Sequence, residues 1–192
     1  VCVILMLLVP FSRMYLGVHT PLDVSVGFVT ALALAAALYP AFRSDARAKT
    51  WTPRLLGAML VFCAAFLVYA VWQSRCDWPA ESEALMNVEH GLKNAYTMAG
   101  AVLGFIVVYL ADEKKLHFDV RAPLLGQIMK LVPGLGLIIG IKAGLKPLTT
   151  AIFNGSQAES LVRYFIIVIF AGIVWPLTFP LFAKLGGKGK RA

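Results

Sequence analysis

Cysteine, histidine and charge are all in short supply in this chain, and each shortage excludes something. Three cysteines, Cys2, Cys63 and Cys76, and three histidines are spread through 192 residues. Two of the cysteines lie in apolar runs and the third in a loop, so neither a disulfide framework nor a zinc site is expected. Charged residues make up 15% of the chain, well short of the roughly 25% that covers a soluble domain. The net charge of +8 comes without a basic stripe interleaved with aromatics, so it does not read as a nucleic-acid surface. No internal repeat is evident. Nor is there an initiator Met or a signal peptide: Val1 stands in mid-run, and the chain is expected to be the C-terminal part of a longer protein.

What the chain has instead is hydrophobic length. It is 59% hydrophobic with a mean hydropathy of +0.77, the composition of an integral membrane protein. Apolar runs approaching the roughly 20 residues needed to span predict an all-α, polytopic transmembrane helix bundle of about six membrane segments, the first truncated. They cover residues 1–11, 22–40, 54–74, 92–111, 124–148 and 162–182, with residues 41–53 as a polar link and 75–91 as the longest and most acidic loop. Gly100 and Gly104 have the spacing of a helix-packing motif. Gly136, Gly140 and Gly144 form a ridge that predicts a close helix neighbour. Asn154-Gly155-Ser156 fits a glycosylation acceptor but reads better as a tight turn.

Sidedness follows from the basic residues. Alternate connections carry twelve Lys and Arg (in 42–54, 112–130 and the tail from 184), against five in the opposite set: Arg13, Arg75, Lys93, Lys146 and Arg163. The richer set belongs in the cytoplasm, so the 12–22 loop is expected to face outward.

That loop holds the chemistry. Arg13 offers a fixed fork of donors suited to phosphate oxygens. His19 titrates near neutrality, and a carboxylate on one ring nitrogen leaves the other free to attack; Asp23 is the nearest candidate. Thr20-Pro21-Leu22-Asp23 reads as a helix start, with Thr20 as N-cap and Pro21 in the first turn. A loop carrying Arg13 and His19 therefore runs into a helix N-terminus, which favours anions. Taken singly, each residue also has a plain explanation: Asp23 as a capping acid, His19 as interfacial, Arg13 as a snorkelling anchor. The three together at this spacing are far more specific.

Ser12-Arg13, five residues, His19, three residues, Asp23, filled by Tyr15-Leu16-Gly17-Val18 and Thr20-Pro21, resembles the third signature motif of the type 2 phosphatidic acid phosphatase family. The resemblance covers about the first 40 residues. It implies that His19 attacks phosphorus and forms a phosphohistidine, that Asp23 orients it and that Arg13 binds phosphate, with no metal or other cofactor. The family also uses two upstream motifs, a Lys with an Arg-Pro and a Pro-Ser-Gly-His; neither occurs in this sequence, so the fragment alone is expected to hold only part of the active site. Vanadate-dependent haloperoxidases share the motif, but the membrane spans argue against that activity.

Outside the motif, Lys142 and Lys146 lie one helical turn apart near the outward end of the fifth span, with Arg163 across the loop. They are candidates for extending an anionic headgroup site, set against snorkelling to the interface. Glu89-His90 with Glu83 matches no trusted metal pattern, and His117 falls in a cytoplasmic link.

Residues 1–40 are read as the end of a phosphatase core, 41–53 as a cytoplasmic linker and 54–192 as an extension of about four transmembrane helices, similar to extensions on some bacterial relatives. The expected activity is hydrolysis of a phosphate monoester or pyrophosphate on a membrane lipid, at the outer face of a bacterial cytoplasmic membrane. The expected partners are a lipid phosphate substrate and membrane lipids, with no nucleic acid. The alternatives are a transporter or lipid translocase, in which His19 and Asp23 relay protons, and an inactive membrane scaffold.

Overall fold

A computed structural model describes residues 2–17, 20–80, 82–116 and 124–180. These form six α-helices: α1 (Cys2–Tyr15), α2 (Pro21–Phe42), α3 (Asp45–Gln73), α4 (Glu83–Ala111), α5 (Leu124–Ile152) and α6 (Glu159–Ile169). A π-helical turn over Asp112–Leu116 extends α4, and α6 continues through a π-helical turn (Phe170–Val174) into a 3-10 turn (Pro176–Thr178). Among the described residues there is no strand. Five helical stretches are long and apolar enough to cross a membrane: Pro21–Phe42, Asp45–Gln73, Glu83–Lys114, Gly126–Ile152 and Glu159–Thr178. The protein is a multi-pass helical membrane protein.

The polar link expected at 41–53 is mostly helix. Ser44 opens α3, its hydroxyl accepting from the Arg47 N–H at 3.4 Å, while an Arg47 guanidinium nitrogen donates to the Pro40 carbonyl at the end of α2 (3.4 Å). At 29 residues, α3 is about 44 Å long, against a hydrocarbon core of about 30 Å. Its polar first turns therefore belong to the helix without belonging to the apolar span. The same reasoning shortens the acidic loop. Ser82 caps α4 by accepting from the Leu85 N–H (3.1 Å), so Glu83, Glu89 and His90 lie on α4.

Contacts divide the chain into two compact units, Val1–Arg54 and Leu55–Ala192. In the first, α1 packs on α2. Nearly all of α2 is exposed within this unit, and its side chains are apolar on every face, the pattern of a helix surrounded by lipid or by other helices.

In the second unit α4 and α6 form the tightest pair, and glycine is the reason they approach so closely. A Cβ on Gly100 would collide with the backbone carbonyl of Leu161, one on Gly104 would come within 2.8 Å of Val168, and one on Gly172 within 2.5 Å of Val108. Each helix thus lends small residues to receive the other's branched side chains, with Ala95, Ala99, Val102 and Ile167 buried beside them. The expectation for Gly100 and Gly104 holds. The ridge of Gly136, Gly140 and Gly144 does not behave as expected: among the described residues nothing lies within 4 Å of a Cβ at any of the three. The close approach on α5 belongs to Gly134, against which the Trp175 indole lies. A helix apolar all round has no marked face, so spacing alone does not tell which glycines meet a neighbour.

The turn from α5 to α6 is tight, as read from Asn154-Gly155, both of which hold positive φ (50° and 74°). It is tied by polar groups. Glu159 accepts from Thr150 Oγ1 (2.6 Å) and Thr149 Oγ1 (3.3 Å), and pairs with Arg163 at 3.0 Å. Arg163 also donates to Ser160 Oγ (3.2 Å).

Candidate active site

Two helix ends and a short connection build the site. α1 closes with Arg13 in its last turn, a favourable place for a cation on the helix dipole. The chain leaves through Gly17, whose φ of +68° is the left-handed value favoured by glycine and whose N–H donates to the Met14 carbonyl at 3.0 Å. It enters α2 through a complete capping box. The Asp23 N–H donates to Thr20 Oγ1 (3.2 Å), and Asp23 Oδ2 accepts from both the Thr20 N–H (3.1 Å) and the Thr20 hydroxyl (2.8 Å). Asp23 is therefore a capping acid, its carboxylate oriented by two hydrogen bonds from Thr20.

Arg13 and Asp23 line the same groove along α1 and α2, about 570 Å³ in volume. Its other walls are apolar, with Met6, Val9 and Pro10 from α1 and Val24, Gly27 and Phe28 from α2. A second groove of about 590 Å³, lined by Phe11, Met14 and Ser25 among others, also borders Pro10, Val24 and Phe28. The hydroxyls here turn back on their own helices, Ser12 Oγ to Val9 O (2.8 Å) and Ser25 Oγ to Pro21 O (2.7 Å). That keeps polar demand away from the apolar walls. The arrangement sets a cation and a carboxylate on the wall of one otherwise greasy cleft, which suits an anionic head on an apolar body.

His19 lies outside the described residues, as do His117, Arg121 and the terminal Lys184, Lys188, Lys190 and Arg191. Of the other basic candidates, all in the second unit, Arg163 is buried and held by Glu159 and Ser160, so much of its charge is already neutralised. Lys142 is exposed, its ammonium 6.0 Å from the ring centre of Tyr164, a ring that the Arg163 guanidinium also approaches (5.8 Å). Lys146 is exposed one turn further on. The Glu159 and Arg163 spacing, i to i+4 on one helix, is a signal that was present in the sequence. Another residue stands out: Lys130, buried near the start of α5, whose ammonium lies 4.5 Å from the Phe179 ring centre and whose carbonyl accepts from the Trp175 indole N–H at 3.0 Å. Nothing in the sequence joins residues so far apart. Among the described residues no three His, Cys, Asp or Glu side chains gather as metal ligands would.

A membrane-embedded helical protein with an arginine and a fixed carboxylate on one apolar groove is the class that fold and geometry define. Residues 1–47 match the PAP2 superfamily, and residues 96–188 match the transmembrane extension of PAP2 superfamily phosphatases. The two matches do not overlap and together cover well over half of the chain, which belongs to the PAP2 superfamily of phosphatases. No curated protein and no solved structure matches it.

Proposed function

We propose that this protein removes phosphate from a membrane lipid carrying a phosphate monoester or a pyrophosphate, phosphatidate-like or polyprenyl-pyrophosphate-like, through a phosphohistidine on His19. The observation that carries the reading is that Arg13 and Asp23 share one groove whose remaining walls are apolar. A phosphoryl group held by the Arg13 fork would leave a hydrocarbon tail against Val9, Phe28 and their neighbours. His19 immediately precedes the N-cap Thr20, and the capping box makes Asp23 a rigid carboxylate, the kind of partner that fixes an imidazole tautomer.

In this reading a His19 ring nitrogen attacks phosphorus and the bond from phosphorus to the leaving oxygen breaks. A general acid outside the set of Arg13, His19 and Asp23 protonates that oxygen. Water then attacks the phosphohistidine, the P–N bond breaks, inorganic phosphate leaves and His19 is regenerated. No step calls on a metal. The excess of basic residues in alternate connections supports an outward-facing site. Residues 1–40 belong to the catalytic core, 41–53 join it to the extension, and 54–192 form that extension.

The test is phosphate release from a panel of lipid phosphates and pyrophosphates by the full-length protein in detergent, without added divalent metal, beside His19→Ala. Release that disappears in the variant is the expected result. No release from any lipid by folded protein, or release that survives His19→Ala, overturns the reading.

A further inference from the structure

Only Arg43 and Ser44 separate the end of α2 at Phe42 from the start of α3 at Asp45, and a connection that short fixes the depth of the charges that follow. At 22 residues, α2 is about 33 Å long, close to the hydrocarbon thickness of about 30 Å. Its last turn therefore ends at the edge of the apolar layer. At 29 residues, α3 is about 44 Å long, which matches a bilayer with its headgroup layers included, about 40–45 Å. The surplus is the polar segment 45–54, which belongs among the headgroups. The Arg47 bond to the Pro40 carbonyl (3.4 Å) holds the first turn of α3 level with the last turn of α2.

Residues 43–54 are basic, and their charges are uncommitted. Arg43, Arg47, Lys49 and Arg54 stand against one acid, Asp45, and all five are exposed. Among the described residues none of the five forms an ion pair. One Arg47 guanidinium nitrogen donates to Pro40, and the Arg54 guanidinium lies 5.6 Å from the ring centre of Trp51. The side chains of Arg43 and Lys49 have no polar partner among the described residues. Like charges gathered in so short a segment repel one another unless anions come between them. Trp51 is itself 44% exposed, and its ring is of the kind that settles at headgroup level.

We propose that residues 43–54 are a docking surface for acidic phospholipids, whose phosphates gather at Arg43, Arg47, Lys49 and Arg54 while Trp51 lies level with their glycerol groups. The guanidinium forks suit phosphate oxygens, and the Lys49 ammonium adds a compact charge. Lipid rather than a free anion is the occupant because a span on either side holds the segment at the membrane surface. Its cations therefore stay within a Debye length of the headgroups, where attraction to an anionic leaflet is felt. The surface is at the far end of α2 from Asp23 and does not depend on the hydrolytic chemistry at His19. By the count of basic residues, the leaflet is the cytoplasmic one.

The test places the full-length protein in phosphatidylcholine vesicles containing either brominated phosphatidylglycerol or brominated phosphatidylcholine, and follows the quenching of its tryptophans. Each measurement is repeated with Trp51→Phe, and the quenching lost with that change reports the lipid beside residue 51. Phosphatidylglycerol should be preferred there about fivefold or more, the effect of at least one basic residue near an anionic surface. Arg43→Gln together with Lys49→Gln should remove most of the preference, Asp45→Asn should increase it, and Lys142→Gln should leave it unchanged. Salt at about 1 M, which screens charges more than about 3 Å apart, should also suppress it. Equal quenching by the two lipids in the parent protein at low salt overturns the proposal without recourse to any charge variant. So does a preference that persists undiminished in the Arg43→Gln, Lys49→Gln protein or at high salt.

Discussion

Gly100 lies so close to the carbonyl of Leu161 that the smallest possible side chain, a single methyl group, has no space. Backbone cannot move aside as a flexible side chain can, so this contact sets how near α4 and α6 come. Gly100→Val should destabilise the extension by about 3 kcal/mol or more, at the upper end of overpacking costs. Gly140→Ala on the open ridge of α5 should change stability by no more than about 1 kcal/mol in either direction. Thermal unfolding of both variants in detergent checks this, and equal sensitivity at the two positions would show the α5 ridge to be packed.

The pair of Glu159 and Arg163 is shielded from solvent, with side chains 12% and 6% exposed. Glu159→Ala should therefore cost about 3 kcal/mol, because it leaves a buried guanidinium without its carboxylate. The double variant Glu159→Ala, Arg163→Met should recover much of that loss. The comparison needs only the midpoints of chemical unfolding, and a double variant as unstable as Glu159→Ala would sink the account.

Asp23 has two separable duties, capping α2 and serving His19. Asp23→Asn keeps an oxygen to accept the Thr20 hydrogen bonds but loses the charge. Its unfolding midpoint should stay close to that of the parent while phosphatase turnover falls about a hundredfold or more. Thr20→Ala should do the reverse to stability, costing about 1 kcal/mol through the lost cap. Should Asp23→Asn retain full turnover, the carboxylate serves the helix alone.

Arg13→Lys keeps the charge and gives up the planar fork. The expected result is a fall in kcat/KM of about tenfold or more, equivalent to about 1.4 kcal/mol. Steady-state kinetics on the preferred lipid decide it, and an unchanged value would remove Arg13 from phosphate binding.

Much of this protein was legible before its structure. Arg13 and Asp23 were marked by spacing, and they border one groove. Thr20 was readable as a cap because hydroxyl, proline and acid follow one another in the order a helix start requires, and Asn154-Gly155 was readable as a turn. These are local signals written over a few residues. Helix ends at the water boundary were harder: residues 45–53 and 83–91 look like loops by polarity, yet continue the helices, because a long helix does not stop where lipid does. Which glycines are packed was harder still, since Gly134 and Gly136 sit two residues apart and only the position of Trp175 separates them. Glu159 falls in the polar stretch between two apolar runs, which hides in the sequence that it opens α6 one turn before Arg163.

The π-helical turn before Trp175 amounts to one residue more than an α-helix would use for the same advance. Removing a residue between Phe170 and Val174 would let the segment relax into an α-helix, and everything beyond it would swing by about 100°. Trp175 would then leave the Lys130 carbonyl and Phe179 would leave its ammonium, although none of these three residues had been altered. For this end of the molecule, chain length over five residues is thus as strict a specification as chemical identity. A relative with the same aromatic residues and a deletion there would carry the same letters on a different face.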